Sequence, residues 1–260
     1  MKRLFILTCV FVLFAFPVHA SEFTILHDFL GGENDGKIAQ GDVQGDLVVS
    51  GDTLYGMTVS GGTSDWGTIF AVGTGGTGFT LLHKFLSGGD DGKEPTGSLT
   101  LSGSKLYGMT SGGGLVGGGT LFSIDMDGSD FTLLREFKNG LNDGEVPYGD
   151  LALSGDILYG MTYGGGVNTY GTIFSIDTNG SGYTRLYDFV GPTGDGMKPY
   201  GGLTVSGDTL YGMTYGGGSV NLGTVFSIGK SGSDYTILHI FSAANGGRPH
   251  GDLTLVNGVL

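Results

Sequence analysis

Apolar positions between residues 23 and 260 fall into short runs divided by glycine-rich turns, and none keeps the 3.6-residue rhythm of an amphipathic helix. The run at 79–85 is representative. Phe79, Leu81, His83 and Phe85 alternate with Thr80, Leu82 and Lys84, so the first set is expected on one side of a strand and the second on the other. Leucine recurs at the central opposite-face position as Leu26, Leu134, Leu186 and Leu238. Apolar side chains on both faces imply a sheet covered on both sides.

The runs repeat. Leu-Tyr-Gly-Met-Thr begins at Leu54, Leu106, Leu158 and Leu210, and Gly-Thr-(Ile/Leu/Val)-Phe begins at Gly67, Gly119, Gly171 and Gly223, each copy 52 residues after the last. An aromatic-Thr-x-Leu-x-x-Phe element starts at Phe23, Phe79, Phe131, Tyr183 and Tyr235, and a Gly-x-Leu element runs into a Ser-Gly turn, as in 97–103 and 149–155. Four strand-like segments per unit predict an all-β fold, a β-propeller of four-stranded antiparallel blades. A β-solenoid is the rival, but its coils are usually shorter and need no four distinct segments. The repeats run approximately 45–96, 97–148, 149–200 and 201–250, with a partial copy at 251–260 and an N-terminal strand at 23–29, giving four complete blades plus parts of a fifth. That strand would complete the last blade and remove a sheet edge. The Gly-Thr-Ile-Phe segment of the fifth unit is missing, and Leu260 aligns with Leu210, so the native chain is expected to continue by at least half a repeat.

The motif set, Leu-Tyr-Gly-Met-Thr, Gly-Gly, Gly-Thr-Ile-Phe-Ser-Ile, Phe-Thr-x-Leu-x-x-Phe and Asp-Gly-x-x-Pro-x-Gly, resembles the GloVer tandem-repeat family of bacterial exported proteins across residues 23–260. The resemblance implies a surface or extracellular repeat protein with no established enzymatic role, often with a C-terminal anchoring signal, of which none is visible here. The first copy departs from the pattern, with Val43 where later copies have Pro95, Pro147, Pro199 and Pro249.

Composition agrees with short strands and tight turns: 55 of 260 residues are glycine, beside 16 Phe and 12 Tyr. Lys2 and Arg3, an apolar stretch from Leu4 to Phe16, and Pro17-Val18-His19-Ala20 read as a signal peptide over 1–20. The stretch is short for a bilayer span, which needs about 20 residues, so a retained anchor is the lesser reading, and no span is expected in the mature chain. Secretion or cell-surface location follows. Cys9 lies inside the signal, so the mature chain has no thiol and folds without disulfides. Its charge balance, 10 basic against 25 acidic residues, is −15, which repels phosphate backbones and argues against nucleic acid as a partner.

Catalytic signatures are weak. Gly73–Gly78 matches a dinucleotide pattern and Gly229-Lys230-Ser231 the end of a phosphate loop, but both sit in strand-to-strand turns with no following helix. His27, His83 and His239 share one repeat position and cannot converge on a metal. Asp35-Gly36, Asp91-Gly92, Asp143-Gly144 and Asp195-Gly196 are read as turn chemistry, with calcium the lesser alternative. Asn179-Gly-Ser181 is a formal glycosylation sequon also read as a turn. No cofactor and no metal site are expected.

Two sets of positions differ between copies. The residues after the proline are Thr96, Tyr148, Tyr200 and His250, with Gln44 in the first copy. Those before Gly-Thr are Trp66, Gly118, Tyr170 and Leu222, with Tyr163 and Tyr215 opening the same loops. Both loop sets leave a propeller on one face. Trp66, Tyr148, Tyr163, Tyr170, Tyr200 and Tyr215 are therefore the candidate ligand-binding rim, for polysaccharide or a surface protein; rings that merely cover glycine-rich turns are the alternative. Asp46, Asp150 and Asp252 open the innermost strands near the expected channel. Five-bladed glycosidase propellers place paired carboxylates there, so a glycoside-active enzyme is the second functional reading. Against it, these three share one repeat position, and an acid-base pair needs unequal pKa values.

Overall fold

The two most regular motifs of each repeat pair with one another. In the computed structural model, which describes residues 24–37, 45–86, 91–256 and 258–260, Gly56 lies opposite Phe70, Gly108 opposite Phe122, Gly160 opposite Phe174 and Gly212 opposite Phe226. The glycine is dictated by a close approach: a Cβ there would stand 2.5–2.6 Å from the phenylalanine ring. Each pair ends on two buried threonines, Thr58–Thr68, Thr110–Thr120, Thr162–Thr172 and Thr214–Thr224, whose hydroxyls lie 2.7–2.8 Å apart. The first of each two also donates to a carbonyl two residues on, so no hydroxyl is buried without a partner.

A strand on either side completes each blade. Blade 1 is Val48–Ser50, Thr53–Thr58, Thr68–Gly73 and Thr80–Lys84; blade 2 is Gly92–Ser102, Lys105–Gly113, Thr120–Asp125 and Thr132–Glu136. Blade 3 is Ala152–Ser154, Ile157–Thr162, Thr172–Asp177 and Thr184–Asp188; blade 4 is Thr204–Ser206, Thr209–Thr214, Thr224–Gly229 and Thr236–Ile240. All four are antiparallel in sequence order, the succession expected of propeller blades. Small ladders, Gly36–Lys37 with Ser60–Gly61 and Gly144–Glu145 with Gly164–Gly165, tie linkers to blades, and blade 2 merges its ladder into its first two strands.

Blades bury their faces against one another. Tyr55, Ile69 and Phe85 of blade 1 meet Leu99, Leu106, Phe122 and Ile124 of blade 2. Tyr107, Met109 and Phe137 meet Leu151, Leu158 and Phe174, and Tyr159, Met161 and Phe189 meet Leu203, Leu210 and Phe226. At about 1.5–3 kcal/mol for each fully buried large apolar side chain, these three seams are the main stabilising term.

Three sequence expectations need amendment or fall outside this description. The alternation read over 79–85 is broken, because a bulge in the fourth strand lets Ile69 pair with His83 but Phe70 with Leu81. The extra residue flips the side chains beyond it. Phe79 packs back on Phe70 and Phe29, whereas His83 and Phe85 face forward onto Phe131 of blade 2. The bulge recurs at Leu134, Leu186 and Leu238. Residues 24–29, expected within an N-terminal strand, form no ladder, since the third strand they would pair with is not there; their rings are nonetheless in register, His27 stacking on Phe79 at 3.6 Å. The expected signal peptide at 1–20, Phe23, Val43 and Gln44 lie outside the described residues. Among the described residues no helix is long and apolar enough to cross a membrane.

Candidate functional site

A backbone clasp joins each blade to the next and fixes what lies over the axis. The residue before each repeat proline, Glu94, Val146, Lys198 or Arg248, has φ between 55° and 57°, in the left-handed region that non-glycine residues rarely adopt. Its N–H donates to the carbonyl of Trp66, Gly118, Tyr170 or Leu222 at 2.7–2.9 Å. The glycine after that carbonyl, Gly67, Gly119, Gly171 or Gly223, has φ of 92–102°, and a Cβ on it would press on the proline ring at 2.5–3.0 Å. The clasp thus needs a positive φ twice and a glycine once. It sets the post-proline residue on the mouth of the channel in every repeat.

Two residues beyond that position stand Asp46, Ser98, Asp150, Gly202 and Asp252, one from each of the five units. They are linked head to tail: Asp46 N–H donates to Ser98 Oγ, Ser98 N–H to Asp150 Oδ1, and Gly202 N–H to Asp252 Oδ1. Gly202 contributes no side chain, so Asp150 and Asp252 face each other across it. Burial, and then the charge of Asp252, push Asp150 up to about 6, against the pull of the Ser98 N–H. The three carboxyls share a repeat position yet are unequal, contrary to the symmetry expected from sequence: Asp46 and Asp252 are exposed and Asp150 is half-buried.

These carboxyls and the aromatic residues line one cavity of about 250 Å³, which includes Asp46, Ser98, Tyr148, Asp150, Tyr200, His250 and Asp252. Tyr163 and Tyr215 extend its rim. Ring centroids of Tyr148, Tyr163 and Tyr200 lie 5.0–5.4 Å apart, and Tyr200 continues to Tyr215 at 5.4 Å and to His250 at 4.6 Å. Burial and a hydrogen bond with Tyr163 push the Tyr200 hydroxyl up to about 12, so it stays a neutral donor. Lys198 Nζ lies 5.0 Å over Tyr163, and the Arg248 guanidinium 5.5 Å over Tyr215.

Four of the six expected rim residues therefore converge: Tyr148, Tyr163, Tyr200 and Tyr215. Trp66 and Tyr170 do not. Their carbonyls are held in the clasp and their rings lie over their own blade's outer loop, Trp66 beneath Lys93 at 4.6 Å and Tyr170 against Gly191. His250 joins the cluster, and the expected central carboxylates belong to the same cavity rather than to a separate site. The signal for both was present: His250 occupies the repeat position of Tyr148 and Tyr200, and each aspartate stands two residues after it.

The Asp-Gly turns hold the loops outside the mouth. Asp143 accepts from the Arg135 guanidinium at 2.7 Å, from Lys138 N–H, from Gly144 N–H and from Tyr183 OH, and Asp195 accepts from Tyr187 OH and Val190 N–H. Asp35 and Asp91 take His27 and His83 in the same way. Burial alone would raise Asp143, but Arg135, the Lys138 N–H and Tyr183 together hold it below the usual carboxylate range.

Four-stranded antiparallel sheets, packed face to face and presenting differing side chains at one channel mouth, define a repeat protein of the β-propeller type. The family model of the Gloeobacter/Verrucomicrobia repeat matches residues 12–194 and 138–260, and the chain belongs to that family, as its motifs anticipate. No curated protein matches it. Among solved structures it is similar to a chain of the nidogen/laminin complex, at 16% identity and a TM-score of 0.53 over 80% of this chain and 66% of that one. It is also similar to the GH74 enzyme of Niastella koreensis, at 17% identity and a TM-score of 0.51 over 75% of this chain and 29% of that one. The chain thus spans just under two thirds of the first and less than a third of the second, and at such identities the likeness concerns fold.

Proposed function

We propose that the chain is a non-enzymatic binding module, exported and working at the cell surface or outside it, that takes carbohydrate at the channel mouth. One observation carries the reading: the arc Tyr148–Tyr163–Tyr200–Tyr215 and the carboxyls of Asp46, Asp150 and Asp252 bound the same small cavity. Aromatic faces offer stacking area to the C–H face of a sugar ring, and carboxylates accept hydrogen bonds from its hydroxyls. The residue pattern over 1–20 supports export. A glycan array with the whole chain tests it. Tyr148→Ala and Tyr200→Ala are expected to weaken binding at least tenfold, while Trp66→Ala and Tyr170→Ala leave it within twofold. No glycan binding, or equal losses in all four, would overturn the reading, and capture of a surface protein instead would replace the ligand class.

A second reading has one observation in its favour. Asp150, holding its proton to about pH 6 beside the ionised Asp252, has the inequality an acid and base pair requires in glycoside hydrolysis. Release of reducing sugar from a bound glycan, lost in Asp150→Asn and in Asp252→Asn, would establish it. Binding without turnover would remove it.

A further inference from the structure

We infer that the gap between blade 4 and blade 1 is a docking slot for a β-hairpin of the repeat's own kind. In each filled seam the forward face of one blade is covered by the next. Tyr55, Tyr107 and Tyr159 are 4–5% exposed there, and Phe85, Phe137 and Phe189 are fully buried. The same positions in blade 4, Tyr211 and Phe241, are only half-buried, and Met213 is half-buried where Met109 and Met161 are buried. On the opposite wall Leu47 is 51% exposed, whereas its counterparts Leu99, Leu151 and Leu203 are 3–8% exposed. The bulged leucines give the sharpest contrast. Leu26, Leu82, Leu134 and Leu186 each carry a hairpin glycine of the following blade, Gly76, Gly128, Gly180 and Gly232, against their backbone. Leu238, the fifth of the series, carries none and is 48% exposed.

The occupant follows from what already lines the slot. On blade 4, the segment around Leu253 holds the innermost position, its carbonyl accepting from Thr204 Oγ1. On blade 1, residues 24–29 hold the outermost position through Phe29 on Phe70 and His27 on Phe79. The two middle strands of one blade remain to be supplied. In every complete blade these are the Leu-Tyr-Gly-Met-Thr and Gly-Thr-x-Phe strands. Their Leu and Phe would cover Tyr211, Met213 and Leu238, and their Tyr and Met would cover Leu47 and Leu54. A cavity of about 670 Å³ lined by Asp208, Tyr211, Lys230 and Asp234 opens on the blade 4 wall, where the turns of such a hairpin would lie. Gly45 to Asp46 and His250 to Asp252 line a single channel mouth, so the fifth place in the ring is already spaced for one blade.

The test adds the hairpin 209–229 to the whole chain, as a separate peptide and tethered by a flexible linker after Leu260. The tethered form removes the objection that a lone hairpin is marginally folded. One-to-one peptide binding and a rise in melting temperature of several degrees in the tethered protein are expected. Both should be lost when the hairpin carries Leu210→Asp and Phe226→Asp, and weakened at least tenfold by Leu238→Asp in the receiving chain. A tethered wild-type hairpin that leaves the melting temperature unchanged overturns the inference, as does Leu238→Asp without effect. A chain that sediments as a dimer, with Leu238 and Leu47 protected from solvent in it, assigns the slot to a second copy and overturns it equally. Glycan binding by the unmodified chain is read separately and bears on neither result.

Discussion

Asp150 shows how one residue departs from its repeat. Its neighbours in the cyclic series are a serine before it and a glycine after it, and that glycine exposes it to Asp252. Because the folded chain holds the Asp150 proton to about pH 6 while the unfolded chain releases it near the ordinary carboxylate value, the native state binds the extra proton between them. Stability therefore falls as pH rises through that window, and the deficit is complete above it. Two pKa units correspond to about 3 kcal/mol, which the water-filled mouth reduces to about 1–2 kcal/mol. Asp150→Asn keeps an acceptor for the Ser98 N–H and removes the charge. Thermal melts should show it about 2–6 °C more stable than the parent at pH 8 and equal to it at pH 4; equal melts at pH 8 would discard the coupling. The position of Asp150 near the axis was legible from its place after Pro-Tyr-Gly. Its inequality with Asp46 and Asp252 was not, because repeat symmetry describes one blade, whereas the pKa depends on what the blades to either side contribute.

Among elements, the clasp and the bulged strand are the two features that periodicity did not disclose. Alternation works for Leu-Tyr-Gly-Met-Thr and Gly-Thr-x-Phe because every residue there is paired. It fails in the fourth strand, where one unpaired leucine reverses the pattern and leaves no mark in the sequence beyond the leucine itself. The clasp was half legible. Gly-Thr and the proline were recognised as fixed points, but glutamate, valine, lysine and arginine before the proline give no hint of a shared left-handed backbone. Val146 is the most strained of the four, since its branched Cβ is least suited to a φ of 55°. Asparagine tolerates that conformation. Val146→Asn is expected to add about 1 kcal/mol of stability, read as a higher urea midpoint with an unchanged slope. A lower midpoint would mean that the valine side chain contributes packing that outweighs the strain.

At the scale of the whole molecule, stability is distributed seam by seam, as in other repeat proteins where each unit touches only its neighbours. Blades 2 and 3 are covered on both faces, with Leu106, Leu121, Leu158 and Ile173 fully buried, whereas blades 1 and 4 each turn one face to the gap. Amide exchange should be slowest in Lys105–Gly113, Thr120–Asp125, Ile157–Thr162 and Thr172–Asp177, and faster in Thr209–Thr214 and Thr236–Ile240. Uniform protection across all four blades would show that the ring opens as one unit. The fold class, the period and the family were readable because they rest on local repetition. The convergence of tyrosines and carboxyls in one cavity needed the curvature of the ring, which no segment states alone.

The clasp has a consequence for how such a protein changes. Its bonds run from backbone to backbone, so the side chains beside it, Thr96, Tyr148, Tyr200 and His250, are interchangeable letters on a fixed frame. Copying one 52-residue unit would install another letter at the same height and angle without re-tuning those already present. New recognition surfaces can then arise by duplication and point substitution, with the architecture left untouched.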